Sequence, residues 1–227
     1  MCLERSERNV ENNVYLTLDI NPITDSFFYP VKYDIDTGKT VDFLKGIELE
    51  GTELIELPYL KQWSIVSDDL AIIMAGKTEE TIQLYLVDTK NKSMTSINKL
   101  NGHSNITGFK LIGNKLFYSS GNTDCFDYIG YDLTTKKVNI LYDDISSCEG
   151  SSYTVHFTGG RYDFVQENKT IYLVDELTGE RKTVDGLTNE LIENSLINEK
   201  EDKIMISKYG TNRIEKIGIL DINKNSL

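Results

Sequence analysis

Carboxylates apart, few side chains in this chain can do chemistry. There are only two histidines, His103 and His156, in 227 residues. They are widely separated, and no cysteine or carboxylate stands at ligand spacing from either, so the pattern is not that of a zinc site. Asp34-Ile35-Asp36-Thr37-Gly38 opens like a calcium loop. It lacks the later ligands and the closing Glu of an EF-hand, and a turn is the better reading. The sequence contains no P-loop, no G-x-G-x-x-G after a strand, no G-x-S-x-G elbow and no H-E-x-x-H. No cofactor is therefore expected.

The three cysteines are Cys2, Cys125 and Cys148. Cys125 precedes the first strand of a hairpin centred on Thr134–Lys136, and Cys148 follows its return strand. Antiparallel pairing brings those ends together and allows a Cys125–Cys148 disulfide; two free thiols are the alternative. Cys2 is followed by a polar run, LERSERNVENN. Directly after Met1 there is no room for a signal peptide. A cysteine on a polar tether is also what a processed bacterial lipoprotein carries, so Cys2 as a lipid anchor is a second reading.

Asp and Glu total 36 against 24 Lys and Arg, a net charge of −12. That excludes the clustered basic surface of nonspecific nucleic-acid binding. The acidity reads as solubility, with a cation or cationic partner as the sharper alternative. No apolar run approaches the roughly 18 residues of a membrane helix, so no membrane span is expected.

The elements that must position any site are set by a repeat. Ile129 to Leu141 reads IGYDLTTKKVNIL: an alternating strand, a turn and a second alternating strand. Asp132 stands just before the turn, where a carboxylate accepts hydrogen bonds from turn amides. The same hairpin recurs around Asp34, Asp88, Asp175 and Asp221, at steps of 54, 44, 43 and 46 residues. A second landmark keeps that period: the apolar strands at Leu70, Leu116 and Ile204 each lead to a glycine, Gly76, Gly121 or Gly210. A period of about 40–50 residues marks a repeat architecture. Each complete unit is four short antiparallel strands. The segment 45–62 departs from the repeat and accounts for the longest step; Leu54 to Leu57 is either an added strand or a turn of helix.

These units resemble blades of a β-propeller, of the loosely patterned bacterial type with a D-x-x-T-G-K hairpin, similar to TolB-like and related propellers. The resemblance covers residues 14–227. It implies an all-β propeller of about five four-stranded antiparallel blades in one domain, 13–227, behind a polar segment, 1–12. The blades run roughly 13–46, 62–100, 106–145, 152–187 and 194–227, the first and last incomplete. Three arrangements stay open: a closed five-bladed ring, a piece of a larger propeller, and an open ring completed by a partner. Trp63, the only tryptophan, reads as a core residue between blades.

The resemblance also implies that ligands sit on the face built from the longer loops. That face would carry Asp124, Asp127, Asp143, Asp144 and Glu149, either as a solvated acidic rim or as a site for a cation or basic partner. His156, in the innermost strand of its blade, would face the central channel or simply pack. The expected function is a non-enzymatic binding or scaffold module for a protein or an extended polymer. The alternatives are a hydrolase acting on a carbohydrate through channel-mouth carboxylates, and a fragment of a larger propeller protein. Similar bacterial propellers are often exported, which points to the cell envelope.

Overall fold

The structure is a computed structural model. It describes residues 3–4, 9–10, 13–19, 28–54, 59–100, 105–121, 125–146, 153–167, 170–188, 192–198, 200–209 and 214–224. The chain falls into two compact units, Met1–Gly113 and Asn114–Leu227.

Antiparallel sheets follow one another along the sequence. In the first, Asn13–Asp19 pairs with Phe28–Asp34, which pairs with Lys39–Val41; the short strands Leu3–Glu4 and Asn9–Val10 also pair with Asn13–Asp19. The second runs in sequence order through Tyr59–Ser67, Leu70–Gly76, Gln83–Asp88 and Ser93–Ser96. The third takes Ile106–Ile112, Lys115–Gly121, Cys125–Asp132 and Val138–Ser146. The fourth takes Tyr153–Phe157, Tyr162–Glu167, Thr170–Asp175 and Arg181–Thr188. The fifth has three strands among the described residues, Ile192–Ile197, Lys203–Tyr209 and Ile214–Asp221. The departure at 45–62 holds a two-stranded hairpin, Glu48–Leu49 with Thr52–Glu53. Residues 55–58, where a further strand or helical turn was expected, lie outside the described residues. A short helix, Ile97–Leu100, follows the second sheet. Within it, the buried Asn98 Oδ1 accepts a hydrogen bond from the Leu84 amide at 2.8 Å.

The repeated aspartate does the same physical job five times. Its Oδ1 accepts turn amides: Thr37 onto Asp34 at 2.8 Å, Asn91 onto Asp88 at 2.8 Å and Thr135 onto Asp132 at 2.8 Å. Leu177 donates to Asp175 at 3.0 Å and Asn223 to Asp221 at 3.1 Å. In the second to fifth sheets the next residue adds a backbone bond to the preceding turn: Thr89 to Asp69, Leu133 to Asn114, Glu176 to Arg161 and Ile222 to Asp202, at 2.8 to 3.0 Å. Each hairpin is thereby tied to its neighbour. Two of the landmark glycines, Gly76 and Gly121, are steric requirements; Gly210 lies outside the described residues. A Cβ on Gly76 would stand 2.7 Å from the Ile82 nitrogen, and one on Gly121 would strike the Cys125 carbonyl oxygen. Gly121 also takes a φ of +145°, which disfavours other residues.

Strand alternation sorts each sheet into two faces. In the first unit, Tyr15, Trp63, Ile65, Ala71, Ile73, Tyr85 and Val87 form one buried cluster joining the first and second sheets, with Leu44, Ile47 and Leu54 from the segment between them. Trp63 is a core residue there, its ring 6.0 Å from that of Phe43. In the second unit, Phe164, Ile171, Leu173 and Val184 of the fourth sheet pack with Ile204, Ile206 and Leu220 of the fifth. Burial of this kind contributes about 1.5–3 kcal/mol per large side chain.

Candidate functional site

In the second unit the buried layer at the third and fourth sheets is polar as well as apolar. Aligning the sheets on their pre-turn aspartates shows why. The residue paired with the position before each Asp is Ala71, Leu116, Asp163 and Ile204 in the second to fifth sheets. Three are apolar, and Asp163 breaks the row while being only 1% exposed. The residue after the Asp is Ile35, Thr89, Leu133 and Ile222 in the first, second, third and fifth hairpins, uncharged in each. In the fourth it is Glu176, also buried.

Asp163 is accounted for structurally. Asp163 Oδ1 accepts the Thr158 amide at 2.9 Å. Thr158 Oγ1 in turn donates to the Tyr162 carbonyl oxygen and accepts from the Gly160 amide, closing the turn between the first two strands of this sheet. Glu176 stands against the buried Tyr128 hydroxyl. Burial, reinforced by the Glu176 and Asp163 charges, pushes that phenol far above its ordinary value, so it stays protonated. The Tyr128 ring stacks on Phe117 at 6.2 Å and meets Phe157 at 4.9 Å. Burial also raises the Tyr142 hydroxyl; Arg181, its guanidinium 5.6 Å from the ring centre, works against that rise, and the Glu176 and Asp163 charges add to it.

Glu176 also reaches a surface depression of about 190 Å³ lined by Lys115, Phe117, Gly130, Lys137 and Leu141. Lys115 is committed to the Leu177 carbonyl oxygen at 2.7 Å. A second depression of similar size lies over the Arg161–Asp175 ion pair, with Tyr162, Glu180, Lys182 and Ile222 around it. Arg161 Nε donates to Asp175 Oδ1 at 2.9 Å and its Nη2 to Oδ2 at 2.5 Å. Burial works to raise the Asp175 carboxyl. The Arg161 hydrogen bonds and charge, with the Leu177 and Thr178 amides, outweigh it and hold the carboxyl below the ordinary range.

The described sequence candidates fall on strands of the third and fourth sheets. His156 lies in Tyr153–Phe157, paired with Phe164, and burial holds its imidazole below the usual value. Asp127 lies in Cys125–Asp132, paired with Ser120. Asp143 and Asp144 fall within Val138–Ser146, their side chains outside the description. Asp124, Glu149, Cys148, Cys2 and His103 lie outside the described residues. Cys125 is disulfide-bonded. Among the described residues no three His, Cys, Asp or Glu form a metal-holding group, and no helix is long and apolar enough to cross a membrane. Asp163 and Glu176 were missed because alternation counts apolar residues. Charge at a register position that is uncharged in the other repeats was the available signal.

No protein-family model matches the chain, and no curated protein matches it. Solved structures do. A crystal structure of puromycin hydrolase matches with a TM-score of 0.56 and 9% identity, over 95% of this chain and 35% of that one. The uncharacterized protein lmo1340 from Listeria monocytogenes EGD-e matches at 0.53 and 15%, over 94% of this chain and 62% of that one. TolB from Acinetobacter baumannii matches at 0.49 and 15%, over 97% of this chain and 52% of that one. The chain thus spans about half the length of TolB and about a third of the hydrolase. It has an all-β, propeller-class repeat fold in which the second, third and fourth antiparallel sheets are four-stranded. At these identities the likeness defines the fold alone.

Proposed function

We propose that this chain is a binding or scaffold module that presents ligand-contacting side chains on hairpin-locked sheets. The observation that carries this reading is how its interior carboxylates are employed. Asp163 holds the turn at Thr158, Asp175 is clamped by Arg161, and Glu176 faces Tyr128. Asp163 and Asp175 are thereby engaged in holding the fold, whereas an acid–base pair needs carboxylates facing a substrate bond. Phe157 supports the reading from the other side. It is 40% exposed while resting on Tyr128, a rigid aromatic surface of the kind that anchors protein or polymer ligands. The ligand class is a protein or an extended polymer, and the long loops beyond the described strands contribute to its selection. A disulfide between Cys125 and Cys148 would fit an oxidising compartment such as the cell envelope.

The experiment pairs two assays on the intact chain. Peptide and glycan arrays read binding; chromogenic glycosides and esters read turnover. Saturable binding weakened by Phe157→Ala, with no turnover, is the expected outcome. Turnover abolished by Glu176→Gln would replace this reading with that of a hydrolase.

A further inference from the structure

One position in the strand that leads into each hairpin lacks a side chain in the third repeat alone. The residue two before the pre-turn aspartate is Lys32, Leu86, Leu173 and Ile219 in the first, second, fourth and fifth sheets, and Gly130 in the third. Glycine weakens a strand, and inside one it marks a bulge, a bend or the close approach of another group. Gly130 keeps regular pairing with Phe117 on one side and Asn139 on the other, and its φ is not positive. A Cβ there would meet Leu141 at 3.5 Å and Phe117 at 3.6 Å, ordinary contact distances. Neither the backbone nor crowding requires the glycine. Its bare backbone opens into the depression of about 190 Å³ that Phe117 and Leu141 also line.

We propose that this notch is the subsite for one apolar side chain of an extended peptide, with an acidic residue beside it; the proposal rests on the reading of the chain as a binding module. A volume of about 190 Å³ is below the roughly 300–1,000 Å³ of pockets that enclose a whole small molecule, and suits one side chain of a longer ligand. Phe117 and Leu141 give it apolar walls. Phe117 is only 2% exposed, so it offers no open ring face on which a sugar could stack, and a peptide is favoured over a glycan. Asn139 and the exposed Lys137 also line the notch, and their side chains have no hydrogen-bond or ion-pair partner among the described residues. The Asn139 amide can both donate to and accept from a peptide backbone. Lys137, with Lys115 on its tie to the Leu177 carbonyl oxygen, places positive charge at the notch in a chain whose net charge is −12. Of the lining acids, Asp132 holds the Thr134 and Thr135 amides, and Glu176 is buried against Tyr128. Lys137 therefore selects a carboxylate next to the apolar residue.

Two-dimensional amide NMR of the whole labelled chain, titrated to millimolar peptide, tests this. The probe is acetyl-Ser-Leu-Asp-Ser-amide, with Ser-Leu-Asn-Ser and Ser-Ser-Asp-Ser versions and cellopentaose as controls. Saturable shifts of the Gly130 amide and the Asn139 side-chain amide are expected with the Leu-Asp peptide. Replacing its Asp by Asn should weaken binding about 1.5- to 5-fold, and replacing its Leu by Ser roughly tenfold or more. Gly130→Leu, which installs the residue of the second and fourth repeats, should abolish binding. Lys137→Glu, at an exposed position, should keep the wild-type spectrum and weaken the Leu-Asp peptide more than its Asn version. A Leu-Asp peptide that shifts neither resonance overturns the proposal, as does binding that both substitutions leave unchanged. Cellopentaose shifting them in its place overturns the proposal and leaves the binding-module reading standing. Glycoside or ester turnover abolished by Glu176→Gln would remove both.

Discussion

The fourth and fifth sheets share a register and differ in what covers it. Phe164 and Met205 stand at the same place in the repeat, as do Leu173 and Ile219, and His156 and Leu196. In the fourth sheet Phe164 and Leu173 are buried; in the fifth all three residues are exposed. The repeat thus fixes which side chain points where. Whether that side chain stabilises the fold or offers a surface depends on the neighbouring sheet. Stability in such arrays comes from nearest-neighbour interfaces.

That contrast sets the sizes of mutational effects. Phe164→Ala removes a fully buried ring and should cost about 3–5 kcal/mol, read as a drop in the urea midpoint. Asp175→Ala leaves Arg161 and the turn amides at Leu177 and Thr178 without their acceptor and should cost roughly 1–3 kcal/mol. Its pH dependence has a definite sign. The folded Asp175 carboxyl lies below its ordinary value, so its contribution is present above about pH 4. It is lost as pH falls through the folded value. Acid titration of Asp175→Asn should therefore show less loss of stability in that window than the wild type.

His156 gives a smaller, separate effect. Burial favours its neutral form in the fold. The unfolded imidazole takes up a proton near pH 6.5, so stability is full above that pH and declines as pH falls below it. His156→Leu, which installs the fifth sheet's residue, should flatten thermal stability between about pH 7 and pH 5. A variant as pH-sensitive as the wild type there would show that His156 is not the titrating group. Met205→Ala should have the smallest effect, within about 1 kcal/mol in dilute solution, because surface truncations rarely exceed that.

Much of the scaffold was legible because its signals are local. A pre-turn Asp, a period-2 strand and a crowded glycine each act within a few residues, and the five aspartates turn their hairpins as the sequence implied. The unexpected features depend on contacts between distant segments. Gln62 clamps the Phe109 backbone, donating to its carbonyl oxygen at 2.7 Å and accepting its amide at 3.2 Å. Nothing in the local pattern marks that glutamine. Asp163 and Glu176 resemble any surface acid until the repeats are aligned, since their burial is set by Thr158, Tyr128 and the adjoining sheet. The acidic candidates were chosen from loops by composition, and the structure places Asp127 within the strand Cys125–Asp132.

Limited peroxide oxidation in dilute solution, followed by mass spectrometry, tests the register most directly. Thioether oxidation follows exposure. Met74, in the second sheet, is 5% exposed against 41% for Met205. Met205 should convert to the sulfoxide well before Met74. Oxidation of Met74 first, or of both at one rate, would contradict the placement of the fifth sheet's open face.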